Sequence, residues 1–183
     1  MKKQTFIING NAGVGKDTFV EMVELALRNY INIDYWIENY SSVTRVKEIM
    51  KSCGWDGISK TEKDRKFMSD LKLLLTGYND LPFKDMSYVR EGFMYDGFDN
   101  SKMLFLHIRE PNEITRAAKE FDAKTILVKR DSVKHVTSNM ADENVYNYDY
   151  DIVIENNGTY DELYGKAKQF VRDYANGCLK ERY

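Results

Sequence analysis

The hydrophobic pattern of this chain switches repeatedly between short apolar runs and stretches where apolar residues return every three or four positions. Residues 5–9 (TFIIN) form a β-rich run ending at Gly10 and predict a first strand. In residues 17–31, Phe19, Val23, Ala26, Leu27 and Tyr30 share one helical face. Residues 33–42 (IDYWIENYSS) predict a second strand. Residues 44–54 put Val46, Ile49, Met50 and Cys53 at helical spacing, with Gly54 as the stop. Residues 59–62 (SKTE) have the form of a capping box. The helix after it gathers Phe67, Met68, Leu71, Leu74, Leu75 and Tyr78 on one face, and Pro82 opens another helix reaching about Tyr95. Residues 103–108 (MLFLHI) are continuously apolar, as in a strand covered on both faces. A helix with Pro111 near its start follows, then strands at 125–129 and 151–155, then an amphipathic helix over 159–175.

Strands alternating with helices predict an α/β fold of three layers, a five-stranded parallel sheet with helices on both faces. A chain of 183 residues is expected to be a single domain, 1–183. The least regular stretches are 55–60, 79–84, 95–102 and 131–150. Loops of that length in such a fold are often lids or substrate loops, and 131–150 is expected to be lid-like.

Composition narrows the classes. Hydrophobic residues make up 43% and charged residues 31%, with a net charge of -2 and both signs interspersed, so neither a nucleic-acid nor a membrane surface is expected. No segment approaches the roughly 20 apolar residues of a membrane span. The N-terminal apolar run has three residues, too short for a signal peptide. Cys53 and Cys178 have no metal-like spacing and are expected to be reduced thiols, giving a cytoplasmic protein.

The chemistry gathers in residues 10–18, GNAGVGKDT. A strand, a glycine-rich turn and a helix opening at a lysine make a Walker A loop. Gly10, Gly13 and Gly15 let the backbone turn tightly, so that the N–H groups of Gly10, Asn11, Ala12, Gly13, Val14 and Gly15 can face a phosphate. The helix adds its positive end, and Lys16 adds a charge for the β- and γ-phosphates. The usual loop places Ser or Thr after the lysine to bind Mg²⁺; here Asp17 stands there and the hydroxyl comes one step later, at Thr18. Mg²⁺ prefers oxygen ligands and keeps several waters, so Asp17 is a candidate for the metal side. Thr18 is a candidate for metal or phosphate, or else a first-turn residue bonding to backbone. ATP with Mg²⁺ is the implied cofactor.

The GKDT sequence resembles the GKGT of adenylate kinases and, more closely, the loop of phage-type deoxynucleoside monophosphate kinases. VKEIMKSCGWDGISKTEKDRKFMSDL, IREPNEI and YDIVIENNGTYDEL are similar to further segments of that family in the same order. The last segment is also similar to dephospho-coenzyme A kinases. The resemblance covers about residues 4–171. It implies the P-loop NTPase fold, with residues 40–100 as an acceptor-side helical region. It implies phosphoryl transfer from ATP to a small monophosphate, foremost a (deoxy)nucleoside monophosphate. Phosphomevalonate or another phosphorylated metabolite, or an ATP-binding module without turnover, stay open as alternatives.

The same resemblance assigns the outlying candidates. Arg109, just past the 103–108 strand, becomes an acceptor- or phosphate-binding arginine, or else a salt-bridge partner of Glu110 or Glu113. Arg130 becomes a catalytic arginine closing on the transferring phosphate, or else a surface residue. Ser41, Ser42, Lys47 and Arg65 fall on the acceptor side, although lysine and arginine on helices are usually solvated. Asn156, Asn157 and Gly158 would pack against the adenine; read as a plain turn, the same stretch puts Gly158 in a left-handed position and Thr159 at an N-cap. His107 stands where the family usually carries the Walker B acid, so the site either lacks that acid or is rebuilt around Asp17; read without the resemblance, a histidine in such a run is a hydrogen-bonded core residue.

Overall fold

The computed structural model describes residues 2–31, 36–59, 61–95, 101–133 and 144–183. The chain divides into two compact units, Met1–Asn39 with Asp96–Tyr183, and Tyr40–Tyr95. Its elements run β1 (Gln4–Asn9), α1 (Lys16–Ile31), β2 (Trp36–Ser41), α2 (Thr44–Ser52), α3 (Glu62–Asn79), α4 (Leu81–Tyr95), β3 (Ser101–His107), α5 (Pro111–Phe121), β4 (Lys124–Lys129), β5 (Ile152–Glu155) and α6 (Tyr160–Ala175). Of the expected second strand, residues 33–35 lie outside the described residues.

The five strands form one parallel sheet in the order β2-β3-β1-β4-β5. β1 takes the centre because Phe6, Ile7 and Ile8 are apolar on both faces and fully buried. Strand alternation sorts the core. Phe6, Ile8, Phe105, Ile126, Val128 and Ile154 join Phe19, Val23 and Leu27 of α1 and Leu163 and Phe170 of α6 in one cluster. Ile7, Leu104, Leu106 and Leu127 are buried on the other face. There α5 packs against β1 and β4, with Ile114, Ala117 and Phe121 buried. Tyr30, expected on the inner face of α1, is half exposed at its last turn.

Phe170 ties α6 to the sheet, its ring centroid 5.3 Å from Phe6 and 5.7 Å from Phe19. The α6 start is a capping box: Thr159 accepts from the Glu162 N–H, and Glu162 accepts from the Thr159 N–H at 2.6 Å. That bond holds the Glu162 carboxyl below its ordinary value. Its stabilisation is complete above the ordinary value and is lost as pH falls through the lower folded one. The chain then returns along the outer edge of β5, where Val153 and Glu155 N–H groups donate to Glu181 O (2.7 Å) and Tyr183 O (3.1 Å). The edge is thereby covered.

The connections fix where a ligand can sit. α1 follows β1 and lies on one face; α5 follows β3 and lies on the other. Adjacent strands whose helices leave to opposite faces open a crevice at their C-terminal ends, here between β1 and β3.

The unit Tyr40–Tyr95 is built from α2, α3 and α4 around Val46, Met50, Phe83, Met86 and Phe93. The capping box at α3 is displaced from the expected residues 59–62. Thr61 is the N-cap and Asp64 its reciprocal partner, while Ser59 Oγ donates to the same Asp64 carboxylate at 2.6 Å. The expected irregular stretch 79–84 is one residue: Asp80, left-handed at φ 59°, joins α3 to α4, and the helix begins at Leu81. α3 is less buried than its pattern suggests. It packs against α2 and α4, and Leu74 and Tyr78 remain 69% and 85% exposed while Lys72 is buried. Among the described residues no helix is long and apolar enough to cross a membrane.

Replacing Phe170 with Ala removes the ring that joins α6, α1 and β1. Urea denaturation is expected to show a loss of about 3–5 kcal/mol; a loss below about 1 kcal/mol would contradict this account of the core.

Candidate functional site

The end of β1 is shaped by its own side chain. Asn9 Oδ1 accepts the Gly10 N–H at 2.8 Å, and Asn9 Nδ2 donates to Arg109 O (3.2 Å) and to the Tyr150 hydroxyl (2.7 Å). Gly10 then passes against β4 at φ 146°, where a Cβ would lie 2.2 Å from Val128 O. Gly15, at φ 94°, meets Asn156 in the same way, its Cβ position 2.5 Å from Asn156 Nδ2. The turn is anchored from within by Val14, fully buried in the core cluster, and from outside by Asn156, whose Nδ2 donates to Val14 O at 2.8 Å. Ala12 and Gly13 are exposed.

Lys16 lies across this loop. Its ammonium donates to Gly10 O at 2.6 Å and to Asn11 O at 2.9 Å. The helix ladder begins with the Phe19 N–H to Gly15 O at 2.9 Å; upstream of it the Gly10 N–H, expected to face a phosphate, is instead taken by Asn9 Oδ1 at 2.8 Å, and the Val14 N–H donates to Asn11 O at 3.5 Å. A cation, a helix N-terminus and a tight turn therefore meet at one place, the requirements for holding a phosphate.

Strand order collects the outlying candidates from unit Met1–Asn39 with Asp96–Tyr183. Arg109 leaves β3, the loop leaves β1, Arg130 leaves β4 and Asn156 leaves β5, at the C-terminal ends of four neighbouring strands. Both arginines are half-buried. Asn157 pairs with Asp131 in both directions, accepting its N–H at 2.8 Å and donating Nδ2 to its carboxylate at 2.7 Å. The β5 turn is thus tied to the loop by Asn156 and to the β4 exit by Asn157. Gly158 is not left-handed; a Cβ there would lie 1.9 Å from Glu162 Oε2, so the capping carboxylate occupies the space a side chain needs. Thr159 is the N-cap as expected. A cleft of about 530 Å³ borders this turn, lined by Asn157, Gly158, Glu162, Lys166 and Arg182 among others, with no residue of the phosphate loop in its wall.

Asp17 is 83% exposed at the first turn of α1, with Oδ1 3.7 Å from His107 Nδ1; Thr18 is half-buried beside it. His107 Nε2 lies 2.7 Å from Asn39 Oδ1 on β2. Among the described residues no three His, Cys, Asp or Glu side chains cluster as a metal cage. Mg²⁺ bound through substrate phosphates needs only one or two carboxylates beside its waters, and the open Asp17 carboxylate fits that use.

On the unit Tyr40–Tyr95, Ser41 and Ser42 share the β2–α2 turn. The Ser41 N–H donates to Thr44 Oγ1 at 3.2 Å, and Ser41 Oγ accepts the Val43 N–H at 3.4 Å. Ser42 is buried. Lys47 and Arg65 stand on exposed faces of α2 and α3.

Of the expected lid-like stretch 131–150, residues 134–143 lie outside the described residues. Its last part touches the loop through residues that sequence reasoning missed. Asn11 Nδ2 donates to the Tyr146 hydroxyl at 3.1 Å, and Tyr150 receives Asn9 and donates to Val145 O at 2.8 Å. Burial pushes the Tyr150 hydroxyl up to about 12, with the Asn9 bond opposing it. Tyrosines spaced four apart among polar residues give no sequence signal for such a pairing.

No family model matches the chain, and no curated protein matches it. Among solved structures it is similar to a sugar kinase from Janibacter (10% identity, TM-score 0.43, covering 97% of this chain and 99% of that chain). It is also similar to shikimate kinase from Aquifex aeolicus (14%, 0.41, 95% and 99%) and thymidylate kinase from Ehrlichia chaffeensis (10%, 0.33, 100% and 93%). Likeness at this level carries no argument about chemistry, which rests on the loop itself.

Two variants test the loop. Gly10→Ala is expected to lower stability by about 1–3 kcal/mol or more through overlap with Val128 O. It should cost more than Gly13→Ala, whose Cβ would meet nothing within 4 Å; equal thermal midpoints would contradict this. Tyr150→Phe is expected to lose about 1 kcal/mol in urea denaturation, from the bonds to Asn9 and Val145.

Proposed function

We infer that this chain transfers the γ-phosphoryl group of ATP to a small monophosphate, with a (deoxy)nucleoside monophosphate as the acceptor. The observation that carries the reading is the Lys16 ammonium, held between the Gly10 and Asn11 carbonyls at the N-terminus of α1.

Phosphoryl transfer asks little covalent chemistry of a protein. It asks for donor and acceptor in line, with the charge on the transferring group neutralised. The loop N–H groups and the α1 terminus receive the β- and γ-phosphates, and Lys16 supplies a positive charge beside them. Arg109 and Arg130, leaving the strands on either side of β1, are assigned to the transferring and acceptor phosphates. Asp17, with Thr18 beside it, is assigned to hold a divalent ion such as Mg²⁺, which would supply positive charge to offset that of the phosphates. Asn156, Asn157 and Gly158 are assigned to the adenine side. Ser41, Ser42, Lys47 and Arg65 are assigned to the acceptor, a choice that rests on the resemblance read in the sequence and on the hydroxyl pair at the β2–α2 turn. Excluding water from the γ-phosphate is assigned to residues 131–150, whose Tyr146 and Tyr150 already hold the loop.

The test is ADP formation with ATP, Mg²⁺ and a panel of ribo- and deoxynucleoside monophosphates plus phosphomevalonate. Acceptor-dependent ADP with a nucleotide is expected. Turnover with phosphomevalonate alone would move the protein to another acceptor class, and saturable ATP binding without turnover would make it a binding module. Lys16→Ala is expected to lower transfer by about a hundredfold or more with the fold retained, checked by circular dichroism; unchanged turnover would defeat the loop assignment.

A further inference from the structure

We propose that the outer face of α3 is a docking surface for a second copy of this chain, with two α3 helices packed antiparallel across a two-fold axis. The proposal uses no residue assigned to phosphoryl transfer and stands apart from that reading.

The unpartnered surface comes first. Among the described residues, eight of the twelve large hydrophobic side chains exposed to solvent belong to the unit Tyr40–Tyr95, less than a third of the chain. On α3 the cause is an apolar face wider than its packing covers. Met68, Leu71 and Leu75 are half-buried, whereas Phe67, Leu74 and Tyr78 are 44%, 69% and 85% exposed. Phe67, Leu71, Leu74 and Tyr78 follow one another at spacings of four, three and four, the narrow seam by which one helix meets another. At about 100° per residue, Arg65 stands on the opposite side of the helix, so the seam is not the face assigned to the acceptor.

The shape of the seam fits its own copy. Phe67 puts bulk near its start, and near its end Gly77 stands beside Tyr78, where a Cβ would meet nothing within 4 Å. Antiparallel packing about an axis between Leu71 and Leu74 sets Phe67 of each copy against Gly77 and Tyr78 of the other, a knob facing a hole. Charge favours the same direction. Lys63 lies beside the start of the seam, while the Asp64 carboxylate is turned back onto the cap by Ser59 and Thr61. Antiparallel packing brings Lys63 to the carbonyl end of the partner helix, which Asp80 closes.

Area supports a pair. Taking about 200 Å² for each whole side chain, Phe67, Leu74 and Tyr78 leave about 400 Å² of mainly apolar surface in water. A standard interface takes about 800 Å² from each partner, and somewhat more than half of such an area is apolar. The seam supplies that apolar share, and its flanks supply a polar rim, where Lys66 and Asp70 pair at 2.8 Å.

The experiment is sedimentation velocity of the whole chain over about 1–100 μM, the weak end of the affinities found for interfaces of standard size. The wild-type chain is expected to reach twice the chain mass at the upper end. Leu74→Lys and Tyr78→Lys are each expected to weaken association about tenfold or more, and the double variant to sediment as a monomer. Both residues are exposed in the single chain, so circular dichroism should match wild type. Gly77→Leu is also expected to weaken association, although it adds apolar surface, because it fills the hole. Leu25→Lys, on an exposed position of α1, should leave association unchanged. A wild-type monomer at the highest concentration, a dimer indifferent to Leu74→Lys and Tyr78→Lys, or growth beyond the dimer would overturn the proposal. Tighter association of Gly77→Leu would overturn it too, by showing plain stickiness in place of a fitted seam. ADP formation is read separately, so this inference and the phosphoryl-transfer reading fail independently.

Discussion

At Gly10 the backbone passes so close to the carbonyl of Val128 that there is no room for a side chain. Close approach of the β1 end to β4 is the constraint on which the site depends. It bends the chain sharply out of the sheet, and the loop that follows returns to meet the N-terminus of α1. Lys16 can then reach the Gly10 and Asn11 carbonyls. A bulkier residue at Gly10 would push the loop away from β4 and open the distance that the ammonium spans.

Around this turn the protein uses polar side chains as short braces. Asn9 holds the first loop N–H, the carbonyl of Arg109 and the hydroxyl of Tyr150. Asn156 holds Val14, and Asn157 holds Asp131. Each brace joins the exits of different strands, so β1, β3, β4 and β5 end in one connected polar rim above an apolar sheet. Hydrogen bonds of this kind contribute modestly one by one, but leaving a buried partner unmade costs more. A rim of mutually satisfied amides is therefore more rigid than its individual bonds suggest. Rigidity there would serve the proposed phosphoryl transfer, in which placement carries most of the work.

Much of this was legible in the sequence. The alternation of apolar runs and helical faces gave the order of strands and helices, because burial on a pleat and on a helix leaves different periods. GNAGVGKDT announced its own turn, because glycines at those spacings and a lysine at a helix start serve few other geometries. Thr159 was readable as an N-cap because the capping oxygen and its carboxylate partner are three residues apart. Local rules also misplaced some details. Gly158 looked like a left-handed residue, yet what excludes a side chain there is the Glu162 carboxylate. The capping box of α3 formed on Thr61 and Asp64 instead of on Ser59 and Glu62. In both places two local solutions compete within a few residues, and side-chain packing chooses between them.

What the sequence determined by itself, then, was the element order, the strand covered on both faces at residues 103–108 and the glycine-rich turn between β1 and α1, because each is written within a short stretch of chain. Tertiary structure decided everything that joins distant residues. Asp17 and His107 are 3.7 Å apart only because β1 and β3 are neighbours in the sheet. Asn39 reaches His107 only because β2 lies on the far side of β3. Tyr146 and Tyr150 find Asn11 and Asn9 across more than a hundred residues because the chain after β4 comes back over the loop. No period or motif records such pairings; they follow from strand order, which is set by how the whole chain buries its apolar surface.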